Sequence, residues 1–171
     1  MRQRRAFTLV ELVVVVLILG ILAAIAAPKV FRGSDDAAET ALRQNLSVIR
    51  DAIELYALEH DGRYPGSTSD GTNPAGSEQA FLNQLLMYSS ADGTVSQVRD
   101  AAHPYGPYLR KNFPSIPVGP NRGTNSVAVK GDGQPLVPDE TTAWMYDYIT
   151  GEFIANTNDL SSDGVTTYDQ F

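Results

Sequence analysis

The chain has 171 residues, with 13 Lys and Arg against 20 Asp and Glu, and a formal net charge of −7. This length predicts one domain with an added segment, and the acidic balance argues against a nucleic-acid binder. The absence of cysteine excludes disulfides, thiolate metal sites and Cys nucleophiles, and two histidines leave little basis for a His-based catalytic relay. Composition therefore weakens most enzyme interpretations.

The first predicted element is a membrane-spanning helix. From Phe7 to Ala27 the chain carries one charge, Glu11. A helix of that length is about 31 Å long, close to the hydrocarbon thickness of a bilayer. Three arginines precede the apolar run, so the positive-inside rule predicts a cytoplasmic N-terminus and places the rest of the chain across the membrane. A carboxylate inside a span is costly, which marks Glu11 as a functional candidate.

Three kinds of N-terminal segment have this shape. A secretory signal peptide would use Ala24-Ile25-Ala26 as its small-residue cleavage site and release a chain that starts at Ala27. A plain membrane anchor would leave Glu11 without a role. The third kind follows from residues 4–12, whose sequence RRAFTLVEL resembles the N-terminal region of type IV pilins and type II secretion pseudopilins.

The pilin resemblance implies a defined processing route. A prepilin peptidase cuts between Ala6 and Phe7 and methylates the new N-terminus, so that residues 1–6 are a removed leader and residues 7–28 stay in the mature protein. Ala6 departs from the glycine that usually precedes this cut, although it is also small. The resemblance also implies that Glu11 neutralises the N-terminal amine of a neighbouring subunit, or its own amine before assembly.

Residues 29–62 are predicted to continue the helix in amphipathic form. Apolar residues recur every three or four positions, which is one face of a helix: Leu42, Leu46, Ile49, Ile53 and Tyr56. This face is expected to pack on the chain's own globular part. His60-Asp61-Gly62 predicts the end of the helix.

Residues 63–171 are predicted to form a globular domain. Residues 65–76 are rich in Gly, Pro and Ser and predict a loop without an apolar anchor, and residues 78–88 predict a short amphipathic helix. Strands are expected at 126–130, 143–148 and 152–155, the last two as a hairpin. The predicted fold class is therefore α+β, with a long N-terminal helix packed on a small C-terminal antiparallel sheet, as in pilins.

Three further segments favour one branch of the pilin family. Residues 56–65, 107–114 and 144–153 resemble, in order, the helix-to-loop junction, the middle segment and the C-terminal hairpin of major pseudopilins. The sequence departs from that pattern at residues 116–119, where Ile-Pro-Val-Gly replaces the usual Asp-Pro-Trp-Gly. The missing cysteines agree with this branch, because many type IV pilins close a C-terminal loop with a disulfide.

The resemblance implies a structural filament subunit of a type II secretion apparatus without enzymatic activity. Its implied partners are other pseudopilins in a helical homo-oligomer, the prepilin peptidase, the inner-membrane assembly platform and an ATPase, with no nucleic acid. Its implied location is the inner membrane, with the C-terminal domain in the periplasm. The alternatives are a type IV pilus subunit for adhesion, motility or DNA uptake, and a secreted globular protein released after Ala26.

The C-terminal region is a candidate calcium site. Residues 131–171 contain eight acidic residues and no Lys or Arg. The run from Asp159 to Gly164 resembles the opening of an EF-hand loop, although Gln170 stands where the bidentate Glu would be. Major pseudopilins hold this region with calcium, and the ligands expected here are Asp159, Ser161, Asp163, the Val165 carbonyl and Asp169. The alternative is a solvated acidic tail.

Overall fold

A computed structural model describes residues 8–110 and 112–171, with the side chains of residues 8–24, 35–110 and 112–171. The elements run in the order α1 (Leu9–Glu59), α2 (Glu78–Leu86), β1 (Tyr88–Ser89), β2 (Val95–Ser96), β3 (Val127–Lys130), β4 (Trp144–Asp147), β5 (Phe153–Ala155) and a 3₁₀ turn (Tyr168–Gln170). The chain divides into two compact units, Met1–Ala37 and Ala38–Phe171.

The first unit consists, where it is described, of the N-terminal part of α1. Its large apolar side chains from Leu9 to Leu22 are all exposed, by 46% to 80%. Over the part of the chain that the structure describes, no helix is both long and apolar enough to cross a bilayer. This finding does not confirm the membrane span predicted for residues 7–28. The leader of residues 1–6 lies outside the described residues.

The second unit begins with the amphipathic part of α1, as predicted. The five apolar side chains of the predicted face are at most 1% exposed: Leu42, Leu46, Ile49, Ile53 and Tyr56. The helix ends at Glu59, where the Gly62 amide donates to the Ala57 carbonyl at 2.8 Å and Asp61 has a φ of 56°. That bond closes a Schellman-type end, so the predicted stop is confirmed.

Two sheets complete the second unit and confirm the α+β class. The larger one has the strand order β3-β4-β5, with β4 and β5 antiparallel as the predicted hairpin. The prediction of an antiparallel sheet is wrong for β3, which pairs with β4 in parallel, Val127 opposite Trp144. The reason lies in residues 131–143, which cross back along the sheet instead of turning. This segment starts beside the end of β4, where the Gly133 amide donates to the Asp147 side chain, and it reaches the start of β4 near Asn156, whose side chain accepts from the Asp139 amide.

The aromatic core lies between α1, α2 and the larger sheet. Phe81 of α2 stacks at a tilt on Tyr146 of β4, with ring centroids 4.3 Å apart, and Trp144 contacts Phe153 at 5.4 Å. These rings are at most 1% exposed. Burial of this kind contributes about 1.5–3 kcal/mol for each large apolar side chain, which makes the core the main source of the domain's stability.

The loop of residues 65–76 has polar anchors instead of apolar ones. Asp70 is 1% exposed and accepts hydrogen bonds from the Thr72 and Asn73 amides and from the Asn83 side chain. Gln84 of α2 is fully buried, accepts from the Gly66 amide at 2.6 Å and donates to the Gly93 carbonyl at 2.8 Å. Burial favours the protonated form of Asp70, yet these hydrogen bonds lower the pKa of its carboxyl overall.

Candidate functional site

The start of α1 is built around a reciprocal pair of hydrogen bonds. The Thr8 amide donates to the Glu11 carboxylate at 3.0 Å, and the Glu11 amide donates to the Thr8 hydroxyl at 3.2 Å. The Thr8 hydroxyl also donates to the same Glu11 oxygen at 2.8 Å. This is a capping box, which satisfies two amides that have no partner within the helix.

The capping box gives Glu11 a local partner within a single copy of the chain. The Glu11 carboxylate stays exposed at the helix start, at the position where the sequence predicts an assembly role. The cleavage residues Ala6 and Phe7, with which that role is linked, lie outside the described residues. Sequence reasoning missed Thr8, although the spacing Thr-x-x-Glu before an apolar run is the known pattern of a capping box.

The C-terminal acidic segment folds into a tight turn around Asp163. One Asp163 oxygen accepts from the Ser161 hydroxyl at 2.6 Å and from the Val165 and Thr166 amides at 2.8 and 2.9 Å. The other accepts from the Thr166 hydroxyl at 2.8 Å. The bonds from Ser161 and then from the two amides hold the pKa of Asp163 well below its usual range.

The other predicted calcium ligands lie in or beside the same turn. The Asp159 carbonyl accepts from the Tyr168 amide at 3.0 Å, and the Ser161 amide donates to the Thr166 carbonyl. One side-chain oxygen of Asp169 is buried and has no hydrogen-bond partner. Among the described residues, no three His, Cys, Asp or Glu side chains converge in a way that would hold a metal ion. The predicted residues are therefore neighbours, but their side chains do not form a cluster of carboxylates.

Three charged side chains of α1 clamp the C-terminal segment. The Arg50 guanidinium donates twice to the Phe153 carbonyl, at 3.0 and 2.8 Å, and once to the Phe171 backbone oxygen at 2.6 Å. The Arg43 guanidinium lies 3.5 Å above the centre of the Phe171 ring. Glu39 pairs with Arg43 and accepts from the Ser162 amide at 3.0 Å. No sequence pattern pointed to this clamp, because the C-terminal groups that α1 holds, which are backbone groups and the Phe171 ring, lie more than 100 positions away in the chain.

A buried histidine closes the C-terminal end of α1. His60 is 2% exposed and stacks on Tyr56 with ring centroids 3.7 Å apart. Its Nδ1 lies 2.8 Å from the Tyr56 carbonyl, which only accepts, so Nδ1 carries the hydrogen and Nε2 faces the Ser89 hydroxyl at 3.1 Å. Burial lowers the pKa of His60. The sequence predicts the end of the helix at His60 but does not predict that its side chain is buried.

Comparisons with known proteins agree with the pilin resemblance. The family described as "Prokaryotic N-terminal methylation motif" matches residues 1–27. The chain is 43% identical to the type II secretion system core protein G of Pseudomonas aeruginosa over 70 residues, which cover 41% of this chain and 48% of that relative. The match thus spans about half the length of this relative.

Two further relatives cover more of the chain. The core protein G of Klebsiella pneumoniae is 29% identical over 70% of this chain and 72% of its own length. The prepilin peptidase-dependent protein D of Escherichia coli is 38% identical over 56% of this chain and 64% of its own length. No solved structure matches the chain. The resemblance to type IV pilins and type II secretion pseudopilins, drawn first from residues 4–12, is confirmed by these matches.

Proposed function

We propose that the chain is a major-pseudopilin-type structural subunit of a type II secretion filament. The observation that carries the proposal is the apolar surface of α1 from Leu9 to Leu22, which the described part of the chain leaves uncovered. An apolar surface of this size requires burial by a bilayer or by other subunits. A pseudopilin uses both, first as a membrane-held precursor and then as a subunit packed among other helices. The methylation motif in residues 1–27 supports the same function.

In this proposal the precursor is processed at the inner membrane. Prepilin peptidase cuts between Ala6 and Phe7 and methylates Phe7, and the domain that contains β1–β5 stays on the periplasmic side. Other pseudopilins, the inner-membrane assembly platform and its ATPase are the proposed partners. The chain has a mechanical role and no catalytic one in this scheme.

The decisive experiment is the mass and N-terminal sequence of the protein extracted from membranes of its host. An N-methylated Phe7 is the expected result, because only prepilin processing produces it. A mature chain that starts at Ala27 would refute the filament function and favour a secreted globular protein. An intact Met1 in cells with an active prepilin peptidase would leave a simple membrane anchor.

A type IV pilus subunit is the second candidate, because it shares the N-terminal motif. The relative named prepilin peptidase-dependent protein D agrees with either function, because its name states the processing peptidase and not the kind of filament. Deletion of the gene separates the two functions. A secretion filament subunit is needed for release of type II cargo, and its filaments lie in the periplasm. A pilus subunit gives filaments on the cell surface, and its deletion leaves secretion intact.

We also propose that the C-terminal segment binds calcium, with Asp169 as a ligand. The support is its buried side-chain oxygen without a partner, since a buried unpaired carboxylate oxygen is costly unless an ion or water satisfies it. Calcium is expected to raise the melting temperature of the wild type and not that of Asp169→Asn. The control is Asp132→Asn, which removes a charge from the same acidic region at a position that is not one of the predicted ligands. An equal response of wild type and Asp169→Asn would refute this proposal.

A further inference from the structure

An apolar groove lies at the C-terminal end of α1. It has a volume of about 590 Å³ and is lined by Glu54, Leu55, Ala57, Leu58, Gly62 and Tyr64. Leu55 is 47% exposed and Leu58 is 80% exposed. The two leucines lie three positions apart on one face of α1 and form an exposed apolar patch with the groove, and such patches mark contact sites for other molecules.

The surroundings of the groove are acidic. Residues 51–62 contain four acidic residues and no Lys or Arg. Of the flanking arginines, Arg50 binds the Phe153 and Phe171 backbone oxygens, and Arg63 donates to the Ala91 carbonyl at 3.0 Å and lies 3.8 Å from the Asp61 carboxylate. The lining of the groove itself contains the carboxylate of Glu54 and no Lys or Arg. The groove therefore favours an occupant that combines an apolar side chain with a positive charge.

The same chain offers one such segment. Outside α1, five large apolar side chains of the described residues are highly exposed: Val98, Val137, Ile149, Leu160 and Val165. Four of them belong to residues 131–171, which carry eight acidic residues and no Lys or Arg. Repulsion between like charges would keep this region away from the acidic groove. Val98 lies instead in residues 93–130, with five Lys and Arg against one acidic residue, and Arg99 follows it directly.

Val98 and Arg99 are available for a contact with another molecule. Val98 is 69% exposed. One Arg99 nitrogen donates to the Pro104 carbonyl at 3.1 Å, which uses one of the five N–H groups of the guanidinium and leaves donors for a carboxylate. A carboxylate of another molecule could therefore bind the Arg99 guanidinium, which its bond to the Pro104 carbonyl already orients.

We propose that a second copy of this chain places Val98 in the groove beside Leu58, with Arg99 facing the carboxylate of Glu54. The inference rests on the proposed filament function, which requires contacts between copies. Groove and segment are different surfaces of one molecule, so the contact is heterologous. Repetition of a heterologous contact builds an open array unless it closes into a ring, which is the geometry that a filament needs.

Cysteine cross-linking tests this contact in the full chain, which contains no cysteine of its own. Leu58→Cys and Val98→Cys are produced as two separately tagged chains in one host with its assembly machinery, and the membranes are mildly oxidised. A cross-linked dimer that carries both tags is the expected product. Leu58→Cys with Val137→Cys is the matched control, because Val137 is 71% exposed and should give only the background level.

Two further variants test the charge complementarity. Arg99→Glu should reduce the Leu58→Cys to Val98→Cys dimer to the control level, and Glu54→Arg added on the other chain should restore it. Both positions are exposed, so neither change should prevent folding.

Each remaining outcome has a distinct meaning. If wild-type filaments sediment but the mixed dimer stays at the control level, the contact is wrong and the filament function stands. A dimer of Leu58→Cys chains alone would mean a symmetric contact and would overturn the head-to-tail arrangement. If the wild type forms no filaments in its host, the proposed function fails and this inference fails with it.

Discussion

Replacement of Arg50 by methionine should destabilise the domain by releasing its C-terminal segment from α1. The guanidinium donates three hydrogen bonds, two to the Phe153 carbonyl and one to the Phe171 backbone oxygen. Methionine keeps an unbranched apolar stem of similar reach, so the change removes the donors and leaves most of the packing. The two backbone oxygens then depend on water for their hydrogen bonds.

The expected loss follows from these contacts. Hydrogen bonds to a charged donor contribute about 1.5–3 kcal/mol each, but the side chain lines two open grooves where water can replace it. Burial of the guanidinium has a cost of its own, seen as a lowered pKa of Arg50, and methionine removes that cost. We therefore expect a net loss of about 2 kcal/mol in the free energy of unfolding, well below the roughly 4.5–9 kcal/mol that three charged hydrogen bonds would contribute if they were additive and shielded from water.

Urea unfolding of the detergent-solubilised full chain, followed by the fluorescence of Trp144, measures this loss. The control is Arg43→Met. The Arg43 guanidinium stacks on Phe171 from the exposed side, so its removal should lower the free energy of unfolding by only about 0.5–1 kcal/mol. A loss below about 0.5 kcal/mol for Arg50→Met, the usual range of a surface substitution, would refute the clamp.

Three further predictions concern the two ends of α1 and the loop. Burial lowers the pKa of His60, so below about pH 6.5 the unfolded chain binds more protons than the folded one. The free energy of unfolding should therefore fall as the pH drops from 7.5 to 5.5. Unfolding curves of His60→Gln should depend less on pH than those of the wild type. Thr8→Ala should lower the stability of the helix start by about 1 kcal/mol and speed amide hydrogen exchange at Glu11. Thr8→Ser keeps the hydroxyl and should leave that exchange unchanged. Equal exchange in the two variants would rule out the capping box. Gln84→Leu leaves the buried Gly66 amide without its acceptor and should lower the free energy of unfolding by about 1–3 kcal/mol; a neutral result would contradict this anchoring role.

The sequence predicts the structural elements that are determined by a local pattern of residues. The apolar stripe on residues 42–56 identified the buried face of α1, because a spacing of three and four places those side chains on one side of any helix. The β4–β5 hairpin followed from two apolar runs around Ile149-Thr150-Gly151. These features are set by residues close together in the chain, so a single sequence contains the information.

Features that depend on distant partners escaped prediction. The parallel pairing of β3 follows from the route of residues 131–143, which is fixed by single bonds such as Gly133 to Asp147. The same holds for the polar anchors of the 65–76 loop, since Asp70 and Gln84 look like ordinary surface residues in the sequence. A buried polar residue is revealed only by the partners that satisfy it.

The assembly role of Glu11 stays a prediction, whereas the local geometry around Glu11 is an observation that the sequence analysis did not provide. The position of Glu11 within an apolar run marks it as functional, and the comparisons place the methylation motif over it. Its partner Thr8 was not predicted, although residues 8–11 have the Thr-x-x-Glu pattern of a helix start. In the acidic tail the loop pattern pointed to Asp163 as a metal ligand, which stays a prediction, and it did not show that the Asp163 oxygens accept from the amides and hydroxyls of its own turn.

The capping box and the proposed assembly role of Glu11 are compatible because their energies differ. A helix cap contributes about 1 kcal/mol, and it forms within one copy of the chain. A carboxylate that is buried among apolar helices without a partner costs several kcal/mol, so a positive charge beside it outweighs the cap. Thr8 therefore holds the Glu11 carboxylate at the helix start while the copy is alone. When helices pack, the same carboxylate can turn to an amine, and the hydroxyl of Thr8 still satisfies the Glu11 amide.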